Sequence, residues 1–387
     1  MSQASDFEIR VVPSIQSIPV EDWNRILPSD AGPFLQHAFL SLLEETACVT
    51  KEVGWQPSHL ALYSIADAKL LGVVPLYLKT HSYGEYVFDW SWAEAYAMNG
   101  LNYYPKALSA IPFTPATGSR ILAKSVEHQE YLVNGLLQLL NQLNISSAHV
   151  LFPQSKDAEL LDKAKFLRRE SIQFHWKNHQ FSNFDQFLAT LTMKRRKNIK
   201  RERQQVKDAG ISFLHIPGRQ MTEEQVLFFY RCYAATYQER QSSPYLNQLF
   251  FQKWVEAMPD SLHFIFAQKE NQSIAAALLV VDKAEKKAYG RYWGALEHHP
   301  CLHFETAFYQ SIEYCIANQI QILEGGAQGE HKMARGFMPQ TLCSYHYLTN
   351  PSFAEAVERF LDRERIGISA YRDDLDSRSP LRLGTSD

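Results

Sequence analysis

Two stretches of the chain carry the same order of apolar and polar positions. From His59 the residues read HLALYSIADAKLLGVVPLYL, and from His263 they read HFIFAQKENQSIAAALLVV, 204 residues further on. In each, an apolar run precedes a short polar turn and a second apolar run, the pattern of an antiparallel hairpin. An aromatic cluster follows each hairpin: Asp89-Trp90-Ser91-Trp92-Ala93-Glu94, then Arg291-Tyr292-Trp293-Gly294-Ala295. A helical stretch and another short strand come next, Ala148 to Phe152 in the first half and Ile320 to Leu323 in the second. A period near half the chain implies two related domains rather than a solenoid. The predicted division is 1–180 and 181–375, with 376–387 as a polar, disordered tail.

Helix signals fill the gaps between strands. Val126 to Leu143 places Leu132, Leu136, Leu139, Leu140 and Leu143 on one face. Met221 to Arg240 opens on Thr222-x-x-Gln225, a capping box. Phe304 to Asn318 groups Phe304, Phe308, Ile312 and Cys315, and Ser352-x-x-Glu355 starts a last helix reaching Arg372. Strands alternating with helices, with antiparallel hairpins, predict mixed α/β or α+β domains.

Composition narrows the function. The 387 residues are 45% hydrophobic and 21% charged, ordinary globular usage. Aromatics reach 13%, which suits large cores or aromatic-lined pockets. Thirty-nine Lys plus Arg oppose 42 Asp plus Glu, so any anion site must be local. Five scattered cysteines form no C-x-x-C pair, which argues against a disulfide framework or a thiolate zinc site. The start MSQASDFEIR carries no secretory pattern, and the longest apolar run, Ile274 to Val281, is far below the ~20 residues that span a bilayer. The expectation is a cytoplasmic protein with no transmembrane segment. The chain has no G-x-G-x-x-G, no G-x-x-x-x-G-K-[ST] and no G-x-S-x-G.

Four constellations could carry chemistry. Lys194 to Arg203, KRRKNIKRER, holds seven basic residues and one acidic one, with charge around most of the helix. Lys194, Arg195, Arg196, Asn198 and Arg201 suit phosphate groups; a solvated helix between domains is the alternative. A cap at Ser182-x-x-Asp185 precedes the run, and Gly210 stops it. Glu324 to Phe337, EGGAQGEHKMARGF, leaves a strand directly. Gly325, Gly326 and Gly329 allow close backbone approach there, and Gln328, Glu330, His331, Lys332 and Arg335 crowd the exit. That is a cradle for an anion or carbonyl, with His331 or Glu330 as acid or base, set against a plain solvated turn. His298-His299-Pro300-Cys301-Leu302-His303-Phe304-Glu305 fits no common metal-ligand spacing, so no metal is expected; His303 and Glu305 open a helix, and Glu305 is a candidate base. Asp89, Trp90, Trp92 and Glu94, with Tyr103-Tyr104-Pro105-Lys106, make either a pocket for a cationic or sugar-like ligand or a plain aromatic core.

The block Leu302 to Pro339, LHFETAFYQSIEYCIANQIQILEGGAQGEHKMARGFMP, resembles the bacterial Fem-like acyltransferases, in the branch of predicted N-acyltransferases of peptidoglycan biosynthesis. The order of the chain fits as well: the Asp89-Trp90 block, Tyr103-Tyr104-Pro105-Lys106, the run Met193 to Arg203, and Tyr292-Trp293-Gly294. The resemblance covers roughly Phe34 to Arg372. It implies two tandem GNAT-like (acyl-CoA N-acyltransferase) domains, each a twisted mixed sheet flanked by helices. It implies transfer of an acyl or aminoacyl group to an amine, with a peptidoglycan precursor as an acceptor. The donor is acyl-CoA or aminoacyl-tRNA, and no cofactor is permanently bound. The implied site lies in the second domain, at Arg291, Tyr292, Trp293 and the Gly325 to Gly329 loop, with Glu305 or His331 as base and Lys332 and Arg335 holding phosphate or carboxylate. An acetyl-CoA-dependent small-molecule N-acetyltransferase, or a non-catalytic protein binding tRNA or anionic lipid, are the alternatives.

Overall fold

The computed structural model describes residues 6–326 and 329–382. The chain divides into two units. One takes the chain up to Ser171 together with Leu342–Ala370; the other takes Ile172–Thr341 and the chain from Tyr371 onward. The C-terminal stretch is therefore shared, where a linear division assigns it to the second half alone.

In the first unit, β1 (Phe7–Val12) pairs antiparallel with β3 (His59–Ser64), and β3 with β4 (Leu70–Val74), the hairpin read from the sequence. Pro75 follows β4 and has no N–H for a ladder, so β5 (Tyr77–Lys79) pairs elsewhere, with β2 (Trp55–Pro57) and β6 (Lys106–Ser109). β7 (Leu122–Ala123) closes onto β4, and β8 (Ser147–Leu151) runs parallel to β6. Helices α1 (Val20–Ile26) and α2 (His37–Glu45) bury Trp23, Phe39 and Leu40. The first aromatic cluster forms helix α3 (Trp90–Met98), whereas the second lies on a strand. Ser125 caps α4 (Val126–Gln142) by accepting from His128 N at 3.1 Å. Its predicted apolar face, Leu132, Leu136, Leu139 and Leu140, packs with Leu60, Val74, Ala148 and Val150. Helix α5 (Ser155–Lys163) completes this run.

In the second unit only the end of β9 (Leu167–Lys177) contributes, followed by α6 (Phe184–Thr190) and the basic helix α7 (Met193–Asp208). The cap of α6 is Asn183, one residue beyond the predicted Ser182, because its side chain reaches Gln186 N. Helix α7 is not charged all round: Ile199 and Val206 are buried, and Glu202 and Arg203 turn inward on the same stripe. Gly210, at φ +73°, ends it as expected. The strands β10 (Ile211–Pro217), β11 (Leu262–Lys269), β12 (Gln272–Asp282) and β13 (Lys287–Ala295) form an antiparallel meander. Helices α8 (Glu223–Gln238), with both capping-box bonds present, and α9 (Gln248–Ala257) lie between β10 and β11 in the chain. After β13 come α10 (Leu302–Phe304), a π-helical turn Glu305–Tyr309 and α11 (Gln310–Ala317), then β14 (Ile322–Glu324), parallel to β13. Leu323, Ala288 and Trp176, neighbours across three strands, enter a core with Phe187, Phe308, Ile312 and Cys315.

Two strands complete the units crosswise. β9, from the end of the first half, supplies His175 to Lys177 to β14, and β15 (Met338–Leu348) supplies Ser344 to Leu348 to β8. The last helix, α12 (Pro351–Ser377), starts at Asn350, whose Oδ1 accepts from Ser352 N, and runs past the predicted Arg372. Beyond it Thr192 N donates to Pro380 O at 2.8 Å and Arg382 N to Thr190 O at 2.9 Å. The rest of the predicted tail, 383–387, lies outside the described residues. Among the described residues no helix is long and apolar enough to cross a membrane.

Candidate active site

The parallel pair β13 and β14 is short. It matches Lys287 with Ile322, Ala288 with Leu323 and Tyr289 with Glu324, and there it ends. Beyond that point β13 stays with β12, with an irregularity that sets Gly290 against Leu279 and Tyr292 against Leu278, leaving Arg291 as the extra residue. β14 turns away through Gly325 and Gly326, the latter at φ +82°. A Cβ at Gly325 would be tight, 3.0 Å from Phe174 O and 3.1 Å from both Lys332 Cδ and Phe337 Cδ1. The two main chains are thus unpaired beyond this point, which leaves an opening in the ladder between Gly290 to Tyr292 on one side and Gly325 to Gly326 on the other.

The helical turn after the loop, Glu330–Arg335, brings Lys332 against it. Lys332 is buried and donates from Nζ to Gly326 O at 3.2 Å; burial pulls its ammonium down to about 8. His303 stacks on Trp293 at 4.6 Å, and burial, with help from the charges of His331, Arg335 and Lys332, pulls it to about 4. His331 is exposed, with its ring 6.2 Å from His303 and 5.8 Å from Phe308; burial and the two cations beside it lower its pKa. Arg291 lies 4.9 Å over the Tyr292 ring and donates to its hydroxyl at 3.2 Å. Trp293, His303 and His331 thus come together through ring contacts, and Lys332 lies against Gly325 and Gly326; Tyr292, with Arg291 over its ring, packs instead against Tyr233 and Phe251.

Other expected residues are held elsewhere. Glu305 is buried in the π-turn. Arg203 Nε bonds both its oxygens, at 3.2 and 3.1 Å, and Gln310 donates to it at 2.7 Å. Burial raises its pKa and Arg203 opposes that. Arg203 also holds Glu313, and Gln310 Oε1 accepts from His215 Nε2 at 2.9 Å, His215 itself being 2.9 Å from His263. Arg335 sits 3.3 Å over Phe304, with Nη2 on both Glu202 oxygens at 3.0 Å and Nη1 on His331 O at 2.7 Å. Glu330 is exposed and takes Tyr371 and Arg378 of the C-terminal segment as partners. Gly329, at φ +113°, closes the loop onto His331, and Gln328 lies outside the described residues. On α7, Lys194 and Arg201 are exposed, while Arg195, Arg196 and Asn198 are half-buried.

The first unit uses its acid and aromatic cluster internally. Lys106, fully buried, donates to Glu85 and Ser82 at 2.8 Å and to Asp89. Tyr103 donates to Asp89 at 2.6 Å and contacts His149, which meets His346 at 2.7 Å. Burial pushes Asp89 up, but Lys106 beside it holds it well below the usual carboxylate range; Glu85 is pushed up to about 7. Trp92 is buried edge-on to His346, while Trp90 and Glu94 are exposed. Past the parallel pair of β6 and β8, Gly118 bridges to Pro153, with Gly118 N on Phe152 O at 3.1 Å. Buried Arg120 donates to Leu151 O at 2.8 Å and Ala116 O at 2.7 Å. Among the described residues no cluster of three or more His, Cys, Asp or Glu could hold a metal ion.

The sequence reading did not select Glu324. It is the last paired residue of β14, buried beside Tyr289 and His175, its register partners. Burial raises its carboxyl to about 7 against the pull of Lys287 and Arg291. The one signal for it was an acid ending an apolar strand just before two glycines.

A family profile described as FemAB-like, peptidoglycan biosynthesis/recognition, matches residues 14–383. No curated protein matches the chain in sequence. Among solved structures, it is similar to the C-terminal domain of a putative lysylphosphatidylglycerol synthetase from Agrobacterium fabrum, at 9% identity, over 89% of this chain and 95% of that one, with a TM-score of 0.50. L-PGS from Bacillus licheniformis follows at 10% identity, 83% and 95% coverage and a TM-score of 0.49. A tandem GNAT protein from the clavulanic acid biosynthesis pathway, without AcCoA, gives 10% identity, 89% and 99% coverage and 0.46. The Agrobacterium structure shares the fold. The chain is a mixed α/β protein, as its sequence implied.

Proposed function

Because the chain belongs to the FemAB-like family, we propose that it is a cytoplasmic N-acyltransferase that moves an acyl or aminoacyl group onto an amine of a peptidoglycan precursor, at the opening between β13 and β14. The observation that carries this reading is the parting of the two parallel strands after Tyr289 and Glu324. Backbone groups at the end of a ladder lose their neighbours and can grip an extended donor as a further strand would. Aimed at the acyl carbonyl, such N–H groups stabilise the negative charge that develops on its oxygen. Lys332, held against Gly326 O, adds a cation to the same place. Arg291, Tyr292 and Trp293 on β13, with His303 stacked on Trp293, form one wall, and His331 stands at its rim. Glu305 positions α7 through Arg203, since both its oxygens are already bonded.

Helix α7 favours aminoacyl-tRNA as the donor. Its exposed residues Lys194, Lys197 and Arg201 recur at three- and four-residue spacing on the face opposite Ile199 and Val206, with Lys200 and Lys207 beside them. A cationic helix face of this kind matches a phosphate backbone. The half-buried Arg195, Arg196 and Asn198 flank that face.

The test is transfer of labelled alanine from alanyl-tRNA, against labelled acetyl from acetyl-CoA, onto UDP-N-acetylmuramyl pentapeptide. Donor binding is measured in parallel by thermal shift, where ligand at about 100 times its Kd adds about 2.7 kcal/mol. Labelled peptide from alanyl-tRNA, with one donor bound per chain, is the expected result. Product from acetyl-CoA alone moves the enzyme to the acyl-CoA class. Binding of tRNA with no product from either donor rejects catalysis.

A further inference from the structure

We propose that Glu324 is the general base of this site, taking the proton from the attacking amine. The inference rests on the acyl-transfer reading and adds a residue to it. Tyr289, Glu324 and His175 are register partners across β13, β14 and β9, so their side chains stand on one face of the sheet. The opposite face, Ala288, Leu323 and Trp176, is core. Glu324 is the last of its strand to be paired, so its carboxyl stands where the two main chains begin to diverge and where a donor's acyl carbon would lie.

The other acids near the opening are already engaged. Glu305 is bound by Arg203 and Gln310, Glu202 by Arg335 and Tyr309, and Glu330 by Tyr371 and Arg378. The Glu324 carboxylate is not hydrogen-bonded to any described residue, although it is only 7% exposed. Lys287 and Arg291 on β13 are the charged groups that act on it, and Tyr289 on β13 and His175 on β9 are its register partners on the same face. Lys287 and Arg291 favour its ionised form, and burial opposes them, which sets it at about 7. A base poised near the working pH combines a useful ionised fraction with useful proton affinity.

In the transfer step, the amine nitrogen forms a C–N bond to the acyl carbon while Glu324 takes its N–H proton. The C–O bond to the tRNA ribose, or the C–S bond to coenzyme A, then breaks with the electron pair on the leaving atom. That atom receives the proton from Glu324.

The test compares wild-type protein, Glu324→Gln and Glu324→Asp with alanyl-tRNA and acetyl-CoA as donors and UDP-N-acetylmuramyl pentapeptide as acceptor. Glu324→Gln is expected to lose about 10²- to 10⁴-fold in transfer, the usual weight of a general base, while binding the donor within about twofold of wild type. Glu324→Asp is expected to recover part of that rate. The wild-type rate should rise with pH through a limb near 7 that Glu324→Gln lacks. Unchanged turnover in Glu324→Gln, or a wild-type profile with no limb between pH 6 and 8, overturns the assignment and leaves acyl transfer standing. Should Glu324→Gln fail to fold, the wild-type profile and Glu324→Asp decide. A wild-type protein inert with both donors overturns the transfer reading and this assignment together.

Discussion

Replacing Gly294 by alanine should unseat β13. The Cβ of an alanine there would sit 1.8 Å from Cys232 O, 2.4 Å from its carbonyl carbon and 2.9 Å from Thr236 Oγ1. Ordinary contact begins at 3.4 Å, so strand and helix would have to separate by roughly 1.5 Å. The obstacle is a carbonyl inside α8, fixed in the helix ladder, not the free end of a side chain. Thr236 Oγ1 also donates to Trp293 O at 2.9 Å, and that bond would stretch with the strand. Overpacking costs about 1–3 kcal/mol, and a main-chain obstacle puts this case near about 3 kcal/mol. A unit of roughly 190 residues loses about 2–4 °C per kcal/mol, so a fall in Tm of about 6–12 °C follows. Calorimetry and urea titration measure it, with donor binding alongside, because β13 is one wall of the opening. Gly367→Ala is the control: a Cβ on α12 meets nothing within 4 Å, and alanine gains helix propensity of up to about 1 kcal/mol. A Gly294→Ala protein melting within 2 °C of wild type (about 1 kcal/mol or less) would refute the reasoning.

Lys106→Met strands Asp89 and Glu85 in the first unit's interior and should cost about 3–5 kcal/mol at neutral pH. Lys106 holds Asp89 below its unfolded pKa, so the wild-type gain is present above that value and fades as pH falls through the folded one. The deficit of the variant, read by urea titration, should therefore be largest above about pH 7 and shrink toward acid; a pH-independent deficit contradicts the ion-pair account. Lys197→Ala, Lys200→Ala and Arg201→Ala together should weaken tRNA binding and flatten its dependence on log salt by about 0.7–0.9 for each phosphate the helix no longer neutralises. Acetyl-CoA binding measured on the same protein should not change. An unaltered salt slope for tRNA would remove α7 from the donor site.

Much of this architecture is legible because it is local. The two hairpins, the capping box at Thr222 and the glycine-rich exit after β14 are each written in one short stretch of apolar alternation or turn residues. What escaped depends on partners far along the chain. Arg203 meets Glu305 across 102 positions and His149 meets His346 across 197, and no periodicity encodes either pair. For the same reason the acids Asp89 and Glu305 read as open sites although an internal cation occupies each. Glu324 was hidden differently: its meaning comes from where a three-residue strand stops pairing, which depends on register rather than on residue type.

The crosswise strands make the order of synthesis matter. β8 pairs with Ser344 to Leu348, so the first unit's sheet keeps an open edge at Leu151 until Ser344 has been made, about 190 residues later (344 − 151 = 193). At about 5–20 residues per second the ribosome needs roughly 10–40 s for that stretch. During this interval the half-finished chain exposes a strand able to recruit another nascent copy, so crowded polysomes and chaperone supply would govern the yield of this protein.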